Sequence, residues 1–189
     1  MTQKGKNAID LVLAESLIEL SAKKPIDKIT IKEITDKAGV IRPTFYNHFQ
    51  DKYELIEWII KTELLEPIKP LLNAGMIFEA IVLMLNNITA NSVFYKKALK
   101  LEGAVTFNQI AMKCVYEMFM NIINEKSTGK KSKYRWLTPE VISTYYAQSL
   151  CFITEGWIAQ GMDDIEPKEM AEAYMYLITR SMDDILSEL

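Results

Sequence analysis

Residues 29–55, ITIKEITDKAGVIRPTFYNHFQDKYEL, decide the fold. They read as two short helices joined by a tight turn, with a third helix starting directly afterwards. Thr30 is suited to an N-cap and Glu33 stands three places on, so Thr30-Ile31-Lys32-Glu33 spells a capping box. Ile31, Ile34 and Ala38 fall on one face at helical spacing. Gly39 supplies the left-handed residue that ends this helix and turns the chain. Pro43 suits the first turn of the second helix. That helix puts Phe45 and Phe49, four apart, on its buried side, and Arg42, Thr44, Tyr46, Asn47 and His48 on its polar side. A short helix with an apolar back and a hydrogen-bonding front, set after a glycine turn, is what a helix-turn-helix needs to enter a major groove.

Working outward, the spacing predicts a first helix over 7–24, with Ile9, Val12, Leu13, Leu17 and Leu20 as its apolar stripe and Pro25 ending it. Lys4 and Lys6 precede it in an arm that touches phosphate or is simply solvated. A linking helix covers 52–66, with Pro67 and Pro70 as breakers, and the domain boundary falls there. Residues 1–52 are then the three-helix head and residues 67–189 a helical body. Helices are expected at 75–90, 92–101, 104–124 and 139–160, with a polar loop over 125–133. The 139–160 helix opens on Thr138-Pro139-Glu140. A last helix opens on Glu166-Pro167 and runs almost to the C-terminus. The fold class is all-α, with about nine helices and no strand alternation.

Composition agrees. Of the 189 residues 49% are hydrophobic, enough for a substantial core. Apolar runs stay short of the ~20 residues of a membrane span, and the start lacks a signal peptide's apolar core. Cys114 and Cys151 sit far apart inside apolar helical patterns, which fits buried free thiols in a reducing cytoplasm. Residues 1–52 hold nine Lys/Arg against seven Asp/Glu, and the remainder thirteen against eighteen. A mildly basic head on an acidic body confines nucleic-acid contact to one end. Catalysis has little to work with. The one histidine, His48, lies in the helix-turn-helix, so no second His is available for a metal cluster or a Ser/His or Cys/His pair. No glycine-rich phosphate loop is present. No enzyme, metal or cofactor is expected.

The run Gly39-Val-Ile-Arg-Pro-Thr-Phe-Tyr-Asn-His-Phe49, followed by Asp51-Lys-Tyr-Glu-Leu55, resembles the DNA-binding signature of the TetR/AcrR transcriptional regulators. The resemblance covers about residues 8–58. It implies Thr30 and Lys52 as phosphate contacts, with Tyr46 and His48 also reaching the sugar-phosphate backbone; a packing histidine is the alternative for His48. It further implies Arg42, Thr44 and Asn47 as base readers, Arg favouring guanine, Asn adenine, and Thr a thymine methyl. Two departures stand out. Ile41 replaces the usual capping Ser or Thr, so packing must hold that helix start instead. Pro43 replaces a frequent Gly and offers a flat apolar surface to a thymine methyl.

The resemblance also implies a homodimer on a palindromic DNA operator, with the last two helices paired against their copies as a four-helix bundle. Tyr145 and Phe152 share a face of the first, and Tyr174, Leu177 and Ile185 a face of the second. The body should sense a signal. A small apolar or aromatic effector would be lined by Phe78, Met84, Phe107, Met112, Tyr116 and Phe119, with Met76 and Met118 nearby, unless these merely fill a core. That reading makes the protein a repressor released by its ligand. The alternative is an activator controlled by a protein coregulator. It rests on the stretch 152–170, which resembles a TetR subgroup that includes regulators of dihydroxyacetone kinase operons.

Overall fold

The computed structural model describes residues 3–102, 105–126 and 132–188, with side chains from residue 8 onward. The side chains of Lys4 and Lys6, Ala104 at the expected start of a helix, and residues 127–131 of the polar loop lie outside the described residues. Among the described residues the chain is helix and turn without strand.

Helix α1 (Gln3–Ser21) begins earlier than its apolar stripe, so the expected separate arm is helical. Leu13 and Leu17 are its most buried apolar residues. A 3-10 turn, Ile26–Lys28, follows Pro25. Helix α2 (Ile31–Ala38) has the full capping box at Thr30 and Glu33, and Gly39 closes it with φ 69°. Helix α3 (Arg42–Tyr46) is five residues long. Helix α4 (Lys52–Ile59) is capped by Asp51, whose Oδ1 accepts from the N–H groups of Tyr53 at 2.8 Å and Glu54 at 2.9 Å.

The linking helix does not stop at Pro67. It passes from α4 through a π-helical stretch, Ile60–Leu65, into α5 (Glu66–Asn73), with Pro70 inside. In an α-helix the proline ring would press on the carbonyl of Glu63 and leave that oxygen without its donor. Widening to π geometry relieves the first problem. Asn87 solves the second, its Nδ2 donating to the Glu63 carbonyl at 2.9 Å.

The body continues with α6 (Ile77–Ala90), α7 (Ser92–Ala98), α8 (Phe107–Lys126) and α9 (Pro139–Ala159), the last capped by Thr138 as expected. The final segment is two helices rather than one, α10 (Pro167–Thr179) and α11 (Met182–Glu188). A second capping box restarts the helix. Ser181 Oγ accepts from the Asp184 N–H at 3.2 Å, and the Asp184 carboxylate accepts from the Ser181 N–H at 3.2 Å. Helix α8 packs along α9, α6 against α5 and α10, and α1 against α2, α4 and α7. One apolar core therefore runs from Leu13 and Phe45 in the head through Ile59 and Leu64 to Phe94, Cys114 and Trp157 in the body.

Candidate nucleic-acid interface

Two aromatic anchors fix α3. Phe45 is fully buried, and Phe49 lies 5.9 Å from it, ring centre to ring centre, and meets Trp58 at 6.3 Å. With its back seated, α3 turns Arg42, Pro43, Tyr46 and Asn47 to solvent and leaves Thr44 half-buried at their edge. Arg42 Nη2 donates to the Tyr46 hydroxyl at 3.3 Å, and its guanidinium lies 6.0 Å from the centre of that ring. Tyr46 thus holds Arg42 one turn away along the helix. Arginine, threonine and asparagine on one short exposed surface are side chains able to read base edges. Ile41 is 69% exposed, so packing of this side chain does not replace the missing cap; the buried Phe45 anchors the helix instead.

Three expected phosphate contacts are differently employed. The His48 side chain is only 1% exposed, and its Nδ1 sits 2.6 Å from Asp10 Oδ1, tying the turn after α3 to α1. The packing alternative for this histidine therefore describes it. Lys52 Nζ donates to the carbonyls of Ile26, Asp27 and Ile29 at 3.0, 2.7 and 3.1 Å. An ammonium has three protons, and all three are occupied; burial also lowers the pKa of this lysine. Lys52 thus ties the carbonyls around the 3-10 turn to α4. Thr30 is exposed, but its hydroxyl donates to Glu33 Oε2 at 2.8 Å and accepts from the Glu33 N–H at 3.3 Å. The Glu33 carboxyl is held down to about 2, chiefly by its hydrogen bond to Lys24 at 2.5 Å and then by those from Thr30.

Behind the head, α4 is fastened to the body by ionic contacts that sequence reading missed. Lys61 bridges Glu57 and Glu117, each at 2.7 Å, and Lys113 reaches the other Glu57 oxygen at 2.8 Å. Glu57 and Lys61 are four apart, a spacing visible in the sequence, but their partners on α8 are more than fifty residues away. The two-sided arrangement raises the pKa of Lys61 and lowers that of Glu57, each against the opposing effect of burial.

In the body, the expected effector residues do not converge. Met84 and Phe107 line a space of about 50 Å3, together with Leu64, Tyr95, Val115 and Leu150. Phe78, Met112, Tyr116 and Phe119 pack on the core elsewhere, Phe119 against Tyr146 at 5.8 Å. Of the expected dimer residues, Tyr145 is 62% and Phe152 77% exposed on α9, while Leu177 is exposed and Ile185 half-buried. Tyr174 is a correction: it is 4% exposed, inside the core. Cys114 and Cys151 are buried free thiols, each raised to about 12 chiefly by burial.

A helix-turn-helix head on an all-helical body is the architecture of a DNA-binding transcriptional regulator. Family comparison agrees at both ends. Residues 15–59 match the bacterial regulatory proteins of the tetR family, and residues 76–180 match a transcriptional regulator C-terminal region of the same kind. The chain belongs to the TetR family of transcriptional regulators. It is 26% identical over 152 residues to the HTH-type dhaKLM operon transcriptional activator DhaS of Lactococcus lactis subsp. lactis, spanning 79% of each chain. Its fold is similar to that of the dihydroxyacetone kinase operon activator DhaS, with a TM-score of 0.63, 21% identity and coverage of 90% of this chain and 93% of that one. It is also similar to NalD, the secondary repressor of the MexAB-OprM multidrug efflux pump in Pseudomonas aeruginosa, with a TM-score of 0.58, 14% identity and coverage of 93% and 96%.

Proposed function

We propose that the protein acts in the cytoplasm as a homodimer that binds a palindromic duplex operator, its control exerted by a protein partner on the body. The observation that carries the DNA reading is the exposed front of α3, with Arg42, Thr44 and Asn47 mounted on the buried Phe45. One such helix offers few contacts; two-fold symmetry places a second about one helical turn of DNA away, or a multiple of it. Tyr145 and Phe152 lie seven residues apart on α9, two turns along one face, and offer that dimer an apolar seam.

Control by a bound small molecule needs an apolar cavity of about 300–1,000 Å3. The space of about 50 Å3 beside Met84 and Phe107 falls well short of it. Larger apolar clefts, of about 860 Å3 beside Phe152 and Trp157 and about 750 Å3 beside Trp136 and Tyr145, open on the surface at the face given to the dimer seam, so a second copy of the chain would cover them. The small interior space favours partner control over ligand release, and similarity to a transcriptional activator across most of the chain favours activation over repression.

The test is binding to duplex fragments from upstream of the protein's own gene over a range of salt. One fragment should be bound specifically and with steep salt dependence, as counterion release demands. Uniform non-specific affinity across all fragments would refute the reading.

A further inference from the structure

Ile41 is an anomaly on the reading face. It occupies the N-cap of α3 with φ −89° and ψ 153°, makes no side-chain capping bond, and is 69% exposed. A capping side chain accepts from the N–H two or three residues on. Here the first of these is Pro43, which has none, and the second, Thr44, already donates to the Ile41 carbonyl at 2.9 Å. The position therefore has little use for a cap and leaves the side chain free for another task. The side chain gains no burial. It adjoins Arg42 and Pro43, both exposed, at the leading end of the helix. In helix-turn-helix proteins that end of the recognition helix meets base edges.

We propose that Ile41 is a specificity-determining residue that packs on the C5-methyl group of a thymine in each half-site. The assignment rests on the operator-binding reading above and deepens it. An aliphatic side chain has no donor for a phosphate and no donor or acceptor for a guanine, adenine or cytosine edge. The thymine methyl is the apolar group a base pair presents in the major groove. Arg42, next in the chain, then fixes the neighbouring base pair through polar contacts, so the two residues read adjacent positions by opposite chemistries.

The experiment selects duplexes from a randomised DNA library with the wild-type protein. It then replaces each thymine of the selected site by uracil, which lacks only the methyl group. Ile41→Ala and Ile41→Ser are measured on the same set. One symmetry-related thymine pair should weaken wild-type binding about fourfold per half-site on conversion to uracil, the worth of one methyl group in an apolar contact. Neither variant should distinguish uracil from thymine there. Ile41→Ser should melt no lower than wild type, because the side chain it shortens is exposed and holds no core contact, so its lost discrimination would not reflect a damaged head. Equal uracil sensitivity in all three proteins would overturn the assignment and point to another residue such as Pro43. So would a wild type with no uracil-sensitive thymine. A library that yields no enriched sequence would instead defeat the operator reading itself, and this assignment with it.

Discussion

Lys52 donates its three ammonium protons to the carbonyls of Ile26, Asp27 and Ile29, and so supports the head from within. Replacing it by methionine would strand carbonyls that have lost a charged donor. Lys52→Met should lower stability by about 1–3 kcal/mol in a thermal or denaturant melt. It should leave the salt slope of duplex binding unchanged, whereas loss of a phosphate contact would reduce that slope by about 1. At this scale the sequence identified which residues belong to the reading head but not which way each one faces. Arg42, Tyr46 and Asn47 are exposed as the helical pattern required, while Thr44 is half-buried. His48 shares their side of the pattern, yet turns inward because Asp10, thirty-eight residues earlier, lies beside it. Short-range spacing cannot show a partner at that distance. Ile41 showed in the sequence that packing must hold the start of α3, but not that the packing is that of Phe45 while Ile41 itself stays exposed.

Helix starts were the most legible elements. The capping box at Thr30 and the Thr138-Pro139 start stand in the structure as spelled, because capping is chemistry between residues two or three apart. Ser181-Met-Asp-Asp184 spelled another box, which the apolar spacing of α10 and α11 concealed. The opposite failure came at Pro67. A proline ordinarily ends a helix, but here the π-helical stretch and Asn87 carry the rod through. The effect couples α6 to the helix that leaves the DNA-binding head. Asn87→Leu should leave the Glu63 carbonyl unpaired and cost about 1–3 kcal/mol. Part of this loss should be recovered in Pro67→Ala, which restores a backbone N–H next to that oxygen. A double-mutant cycle by denaturant unfolding measures the coupling; strictly additive losses would show that Asn87 does not compensate for the proline.

For the whole molecule, all-helical class and a basic head on an acidic body were readable from composition and periodicity. The state of the body was not. Residues with cavity-lining chemistry, such as Phe78, Met112 and Phe119, pack against the core at separate places, and whether such residues enclose a void is a property of three-dimensional packing. The ionic cluster of Glu57, Lys61, Lys113 and Glu117 likewise appears only once α4 and α8 meet. It gives the body a fixed hold on the helix behind the head, so a body that shifts must carry the head with it. Dimerisation belongs to this scale. Phe152→Arg changes an exposed side chain, so the fold should persist. Sedimentation should then show monomers where the wild type is a dimer, and affinity for the full palindrome should fall toward that of a half-site. A variant that stays dimeric would place the seam elsewhere, and a wild type that sediments as a monomer would refute the proposed dimer.

The most direct test of the central claim, that the front of α3 reads bases, compares Arg42→Ala/Asn47→Ala with wild type. The measurement is the ratio of affinities for the selected palindrome and for a scrambled duplex of the same composition, at one salt concentration. The account predicts that the ratio falls by at least about tenfold, while melting temperature and dimerisation stay as they were. A double variant that discriminated the two duplexes as well as the wild type would contradict it.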